Sequence, residues 1–271
     1  MLANLIPPHQ ALPAVSGLVS RHGPGRAVLV ALLLAALLLS NPARAGDDEH
    51  MGPGLKVLEL FTSHGCSSCP PADAMLARVA EQSDSALLLE FHVDYWDDLV
   101  HGRDGSFVDP FSDADWSRLQ RAYNRLPLKG RPGVYTPQVI VNGNVALVGS
   151  DARALDKVLK HNPAPAHVPR LERAADGQIR YELAAAEEAL PAGELWLYRF
   201  LDRTVTDVDG GENKGRQLEN HNVVKAAERL GIWQGETLTG QFAAPAEGEG
   251  CVLVLRNLDG IGVTAASPCP E

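Results

Sequence analysis

Short apolar runs and one-sided apolar stripes alternate along the first half of the chain. Lys56–Thr62 (KVLELFT) lies between Gly54 and a Ser63-His64-Gly65 cluster and predicts a strand. After Pro70-Pro71 the period changes. Ala72, Met75, Leu76, Val79 and Ala80 fall at i, i+3, i+4, i+7 and i+8, the apolar stripe of a helix running to about Gln82. Residues 86–93 (ALLLEFHV) read as a second buried strand. Trp116, Leu119, Tyr123 and Leu126 recur at helical spacing. Gln138–Val141 and Val145–Val148 flank Asn142-Gly143-Asn144, the strongest local hairpin cue, and Ser150 is set to cap a last helix carrying Leu155, Val158 and Leu159.

Residues 55–162 therefore read as strand, helix, strand, helix, hairpin, helix. Within them, residues 94–115 are acidic and irregular, with Asp at 94, 97, 98, 104, 109, 113 and 115. Without EF-hand spacing this is a solvated surface insertion rather than a calcium loop. A Pro-rich linker covers 163–170. Strand-like runs follow at 178–183, 195–201, 237–242 and 251–255, with one helix expected at 222–230, and predict a smaller β-rich, sandwich-like domain over 171–271.

The chain has 271 residues, with 24 Lys and Arg against 34 Asp and Glu, a net charge of -10. No basic run offers a phosphate-binding surface, so nucleic acid is not an expected partner. With 25 Gly, 19 Pro and 6% aromatics, turns are expected to be many, which argues against a helical bundle. One apolar stretch, 27–39, follows Arg21 and Arg26 and precedes Ala43-Arg44-Ala45. It is shorter than the ~20 residues a spanning helix needs, so it predicts a signal peptide over 1–45, cleaved after Ala45, with an uncleaved anchor as the alternative. The segment ahead of the apolar stretch is long, as it would be if the start lay further downstream. Residues 46–54 then form a flexible arm. Cleavage removes Arg21, Arg26, Arg44 and no acid, which leaves 21 basic against 34 acidic residues and no membrane span. A periplasmic or secreted location is expected, where disulfides persist.

Chemistry concentrates at Cys66-Ser67-Ser68-Cys69, between the first strand and the first helix. Two intervening residues allow the ~5.5 Å Cα separation of a disulfide. The helix N-terminus favours an anion, which raises the thiolate fraction of Cys66 and makes it the nucleophile, with Cys69 resolving. Pro70-Pro71 starts the regular helix, and Asp73 in its first turn would oppose a nearby thiolate. Spacing alone leaves three readings open: a redox pair, a structural disulfide, or soft-metal capture such as Cu(I), with His64 as a third donor. A structural zinc site is disfavoured, because Cys251 and Cys269 are distant in sequence.

Tyr135-Thr136-Pro137-Gln138 immediately precedes the predicted hairpin. Together with the strand, Cys-x-x-Cys and helix, it resembles the thioredoxin fold, and residues 60–66 resemble the glutaredoxin approach to the motif. VLELFTSHGCSSCPPAD (57–73), FHVDYWD (91–97), YTPQVIVNGN (135–144), VGSD (148–151) and ENKGRQLENHNVV (212–224) are similar to the DUF1223 family of exported thioredoxin-like proteins. The resemblance implies a thioredoxin-like domain followed by a β-rich one, with Cys66, Cys69 and a cis Pro137 at the redox positions. The redox reading requires no cofactor and takes protein thiols or disulfides as partners. The chain departs from thioredoxins in lacking a Trp before Cys66 and a Gly-Pro between the cysteines.

Supporting residues are Thr136, Glu59 and His64. Glu59 is a buried-strand acid that could relay protons to Cys69, and His64 could stabilise the Cys66 thiolate or simply face solvent. His92 and Asp94 close the second strand beside the same loop. The even cysteine count pairs Cys251 with Cys269, worth ~3 kcal/mol in the loop-entropy account. Residues 210–216 fail the Walker spacing and read as a shaped loop able to dock on the first domain. No hydrolase motif is present.

Overall fold

The structure is a computed structural model, and it describes residues 54–100, 107–165, 167–186, 191–260 and 262–270. The expected leader, its cleavage site and residues 46–53 of the arm lie outside the described residues, as does part of the acidic stretch.

The first strand, β1 (Lys56–Thr62), runs parallel to β2 (Ala86–His92), with Lys56 opposite Ala86 and Thr62 opposite His92. Both are buried on two faces, which is why they read as continuous apolar runs rather than alternations. Leu58 and Leu60 of β1 pack with Leu76 and Ala77 of α1 (Pro70–Glu81) on one face. Val57 and Phe61 pack on the other with Trp116 and Tyr123. Between β2 and α3 (Ala114–Tyr123) the acidic stretch holds a single-turn helix, α2 (Tyr95–Leu99). A two-residue β3 (Lys129–Gly130) precedes the expected hairpin of β4 (Gln138–Val141) and β5 (Val145–Val148), with Asn142 and Gly143 at positive φ in its turn. The last helix of this half, α4 (Ala152–His161), is capped by Asp151, whose carboxylate accepts from the Ala154 N–H at 3.0 Å. The cap is thus one residue beyond the expected Ser150.

The second half is all strand among the described residues: β6 (Arg170–Arg173), β7 (Gln178–Leu183), β8 (Gly193–Asp207), β9 (Gln217–Trp233), β10 (Leu238–Ala243), β11 (Glu249–Asn257) and β12 (Val263–Pro268). The helix expected at 222–230 is instead the middle of β9. Ala226, Ala227, Glu228 and Arg229 are good helix formers, but this segment pairs antiparallel with β8 from Trp233 opposite Gly193 to Gln217 opposite Asp207. Ladder pairing and burial of Val223, Val224 and Trp233 outweigh local propensity.

Nine strands form one mixed sheet in the order β12-β11-β8-β9-β2-β1-β4-β5-β3. β9 meets β2 in parallel at Glu90 opposite Val223, so strands from before and after the Pro-rich stretch share this sheet. A smaller antiparallel sheet, β10-β7-β6, covers β8 and β11 through Ile179, Leu183, Leu195, Leu253, Trp233 and Phe242. No helix among the described residues is long and apolar enough to cross a membrane.

Candidate functional site

β1 ends at Thr62, and Ser63-His64-Gly65 carries the chain to the cysteines. Cys66 and Cys69 form a disulfide with Cα atoms 5.4 Å apart. Cys69 occupies the N-cap of α1, followed directly by Pro70 and Pro71, whose missing N–H groups would have no intrahelical partner there. The Cys69 carbonyl accepts from Ala72 at 2.8 Å and Asp73 at 3.0 Å, which fixes the helix start. Ser67 and Ser68 are exposed, whereas both cysteines are 0% exposed.

The loop before β4 approaches the first turn of α1. The Thr136–Pro137 peptide is cis. A Cβ placed on Gly149 would sit 3.1 Å from side-chain carbons of Ala72, Leu60 and Pro137, so α1 and the Pro137 loop close around a residue that has none. Trp96 of α2 bridges the remaining gap. Its Nε1–H donates to Thr136 Oγ1 at 2.7 Å, and its Cβ lies 3.1 Å from where a Gly65 Cβ would stand.

Residues 210–216 complete the cover. Asn213 Nδ2 donates to the carbonyls of His64 (2.9 Å) and Cys66 (2.8 Å), and Arg216 Nη1 donates to Asn213 Oδ1 at 2.7 Å. The Glu212 N–H donates to the Gly65 carbonyl at 3.3 Å, while its carboxylate accepts from the Ser67 N–H at 2.9 Å. Hydrogen bonding from Ser67 holds the Glu212 carboxyl below its usual range. Gly211, at φ +67, brings this loop so near that a Cβ would stand 3.1 Å from Gly65 Cα. The shaped loop expected from the sequence docks directly over the cysteine turn.

Behind the turn lies a buried polar cluster. His64 is buried rather than solvent-facing: its Nε2 lies 2.8 Å from Asn220 Oδ1, and its N–H donates to Asp109 Oδ2 at 2.7 Å. His92 Nδ1 lies 2.9 Å from the same Asp109 oxygen. Asn220 in turn donates to Glu90 at 2.8 Å. Burial works to lower the His92 pKa, but the Asp109 charge and hydrogen bond, with the Glu90 carboxylate 3.8 Å from Nε2, outweigh it and raise the ring to about 10. For Asp109 burial works upward, and the His92 charge and hydrogen bond prevail and hold it well below the usual carboxylate range. His64 is pushed down by burial, against the pull of Asp109.

Asp73 follows Cys69 by one helical turn on the same face and accepts from Thr62 Oγ1 at 2.7 Å. Burial, reinforced by the Glu90 charge, raises its carboxyl well above 3.8. A carboxyl that resists ionisation when folded costs stability above its unfolded pKa. Asp73→Asn keeps the Thr62 acceptor, so it is expected to melt higher than the parent at pH 7. The gap should close as pH falls below about 4, where both states hold the proton. Thermal melts across that range check this.

Glu59 is placed elsewhere. Strand alternation puts it on the Val57 and Phe61 face, away from α1, so it does not serve Cys69. It is fully buried, with Arg256 Nη2 at 2.5 Å and the Tyr123 hydroxyl donating at 2.6 Å. Asp94 accepts from the Ser117 hydroxyl. Cys251 and Cys269 form the second disulfide, Cα atoms 5.3 Å apart.

The family model described as "Protein of unknown function (DUF1223)" matches residues 57–256, a span that contains the cysteine turn, the polar cluster and the covering loop. The chain belongs to the DUF1223 family. A crystal structure of a protein from Agrobacterium tumefaciens, AGR_C_4864, is similar at 26% identity and a TM-score of 0.63, covering 80% of this DUF1223 chain and 95% of that one. HBP35 of Porphyromonas gingivalis is similar in fold, at 16% identity and a TM-score of 0.54, with 80% and 74% covered. No match is found among curated proteins.

Trp96, Asp109, Asn213 and Asn220 carry no assigned role at the level of sequence. Asp109 sits in a stretch that reads as solvated. Asn213 and Asn220 reach the site across 147 and 156 residues, and no local pattern encodes such pairings. Trp96, Asn213 and Asn220 fall in the strings that resemble the family, and Asp109 does not.

Proposed function

We propose that this is an exported thioredoxin-like protein whose Cys66–Cys69 pair exchanges with thiols and disulfides of other proteins. The observation that carries this reading is the pair itself, bonded at the mouth of α1 directly after a buried parallel strand. The strand order β2-β1-β4-β5, with α1 following β1, supports a thioredoxin-like core. The apolar leader supports export to a compartment where exchange has substrates.

In one direction the reduced pair acts. The Cys66 thiolate attacks a partner disulfide, one partner sulfur leaves as thiolate, and a mixed disulfide joins Cys66 to the other. Cys69 gives up its proton and attacks Cys66 Sγ, releasing the second partner thiolate. The partner gains two electrons and takes up two protons, and the Cys66–Cys69 bond is remade. Run backwards, the pair oxidises a partner dithiol, and neither direction needs a cofactor. Asp73, one turn from Cys69, replaces Glu59 as the carboxyl suited to hold that proton.

With both sulfurs buried, exchange requires the 210–216 loop to lift, breaking the Asn213 and Glu212 hydrogen bonds. The same burial favours a second reading, in which the pair only braces the fold. Trapping separates the two. Cys69→Ser leaves Cys66 unable to be resolved, so protein adducts released by dithiothreitol and absent from the double serine variant are expected. A trap that stays empty in normal growth and under oxidative stress contradicts exchange. Stoichiometric Cu(I) uptake by the reduced pair alongside an empty trap would favour a soft-metal role instead.

A further inference from the structure

The buried cluster behind the disulfide contains two ring nitrogens that hydrogen bonding does not account for. His64 Nδ1 and His92 Nε2 are buried and have no hydrogen-bond partner, although such atoms in a native interior are nearly always paired; His92 Nε2 faces Glu90 Oε2 at 3.8 Å, and His92 Nδ1 is the nitrogen beside Asp109. His64 Nδ1 lies 3.6 Å from Asp109 Oδ1. That is too long for a hydrogen bond and close to the ~3.4 Å edge between two ligands of a tetrahedral ion with bonds of ~2.0–2.1 Å.

The surroundings are those of a ligand held in place. Asn220 donates its amide N–H to Glu90 Oε2, which turns its oxygen toward His64 Nε2 at 2.8 Å. With Nε2–H so engaged, Nδ1 presents a lone pair toward the Asp109 carboxylate, an arrangement of two acceptors that a cation would reconcile. Asp109 is fixed by the His64 N–H at 2.7 Å and the Phe111 N–H at 3.0 Å, and the Phe111 ring packs edge-on against both imidazoles. One donor atom from each of His64, His92 and Asp109 lies within 4.8 Å of the other two, and all three residues are buried.

We propose that His64, His92 and Asp109 bind one divalent first-row transition cation of the zinc type. Two imidazole nitrogens and a carboxylate oxygen suit such an ion better than calcium or magnesium, which take oxygen ligands, or Cu(I), which takes sulfur. The donors come from the β1–α1 loop, the end of β2 and the loop before α3. A bound ion therefore takes the place of the proton that His92 otherwise shares with Asp109, releasing it to solvent, and ties together three segments that the sequence leaves separate. Neither cysteine belongs to the donor set, so this site does not depend on the redox reading.

The test uses the whole chain without a histidine tag, first by metal analysis and zinc titration, then by Co(II) absorption. One ion per chain is expected, with ligand-field bands and no thiolate-to-cobalt charge-transfer band. The Cys66→Ser/Cys69→Ser variant should keep the ion. Asp109→Asn and His92→Gln, checked for folding by circular dichroism, should bind at least tenfold more weakly. Where these variants do not fold, the wild-type cobalt spectrum decides alone. Folded wild-type protein that takes up neither metal stoichiometrically overturns the proposal. So does a thiolate charge-transfer band, loss of the ion in the double serine variant, or unchanged binding in both folded single variants.

Discussion

Arg256→Met is expected to destabilise the fold by about 3–5 kcal/mol, the cost of leaving a buried partner charge uncompensated. Arg256, from β11, reaches across the sheet to Glu59 of β1, with Nη2 on Oε1 at 2.5 Å and Nη1 on Oε2 at 3.3 Å. Its Nε donates to the Tyr198 hydroxyl at 3.1 Å, and the guanidinium lies 5.4 Å from the ring centroids of both Tyr123 and Tyr198. Removing the cation strands a carboxylate with no access to water. Removing both charges should not, so Glu59→Leu/Arg256→Met is expected to recover most of the loss. Urea unfolding of the four members of this cycle measures the coupling. Additive single effects would mean that the pair contributes no more than its separate packing.

The second large effect concerns access to the cysteines. Asn213→Ala is expected to speed reduction of Cys66–Cys69 by dithiothreitol about 30-fold, with global stability falling by no more than ~2 kcal/mol. The Asn213 side chain makes the two hydrogen bonds that hold the covering loop to the His64 and Cys66 carbonyls. At a net ~1 kcal/mol each they account for about 2 kcal/mol of closing free energy, and every 1.4 kcal/mol is tenfold in the open population. The Cys251–Cys269 disulfide, lying between β11 and the chain beyond β12, serves as the internal control. Its reduction rate should not change. Mass mapping after timed alkylation reads both bonds in one experiment. Equal acceleration of the two would assign the effect to general loosening.

Much of the first half is legible in the sequence because its signals are local. The KVLELFT run, the Ala72-to-Ala80 stripe and the Asn142-Gly143 turn each specify an element without reference to distant residues. The Cys-x-x-Cys turn is legible for the same reason. β9 is not, because its Ala-Ala-Glu-Arg segment is a strand only by virtue of pairing with β8. The site is legible in outline and not in depth. Alternation in β1 already puts Glu59 on the face opposite Leu58 and Leu60, yet which face α1 would cover becomes plain only from packing. His64 looks like a loop histidine until Asp109, from the acidic stretch, and Asn220, from β9, close over it. The loop at 210–216 is recognisable as a shaped loop, but that it lands on the Cys66 carbonyl is a property of the shared sheet.

The central claim is that Cys66–Cys69 is an exchanging pair and not a brace. Equilibrating the folded chain in glutathione buffers of graded poise, with far-ultraviolet circular dichroism followed in parallel, tests it most directly. The account predicts that this bond opens and closes reversibly, with a midpoint above about -300 mV, while the fold stays intact. A bond that resists the most reducing buffer, or opens only as the protein unfolds, would contradict it.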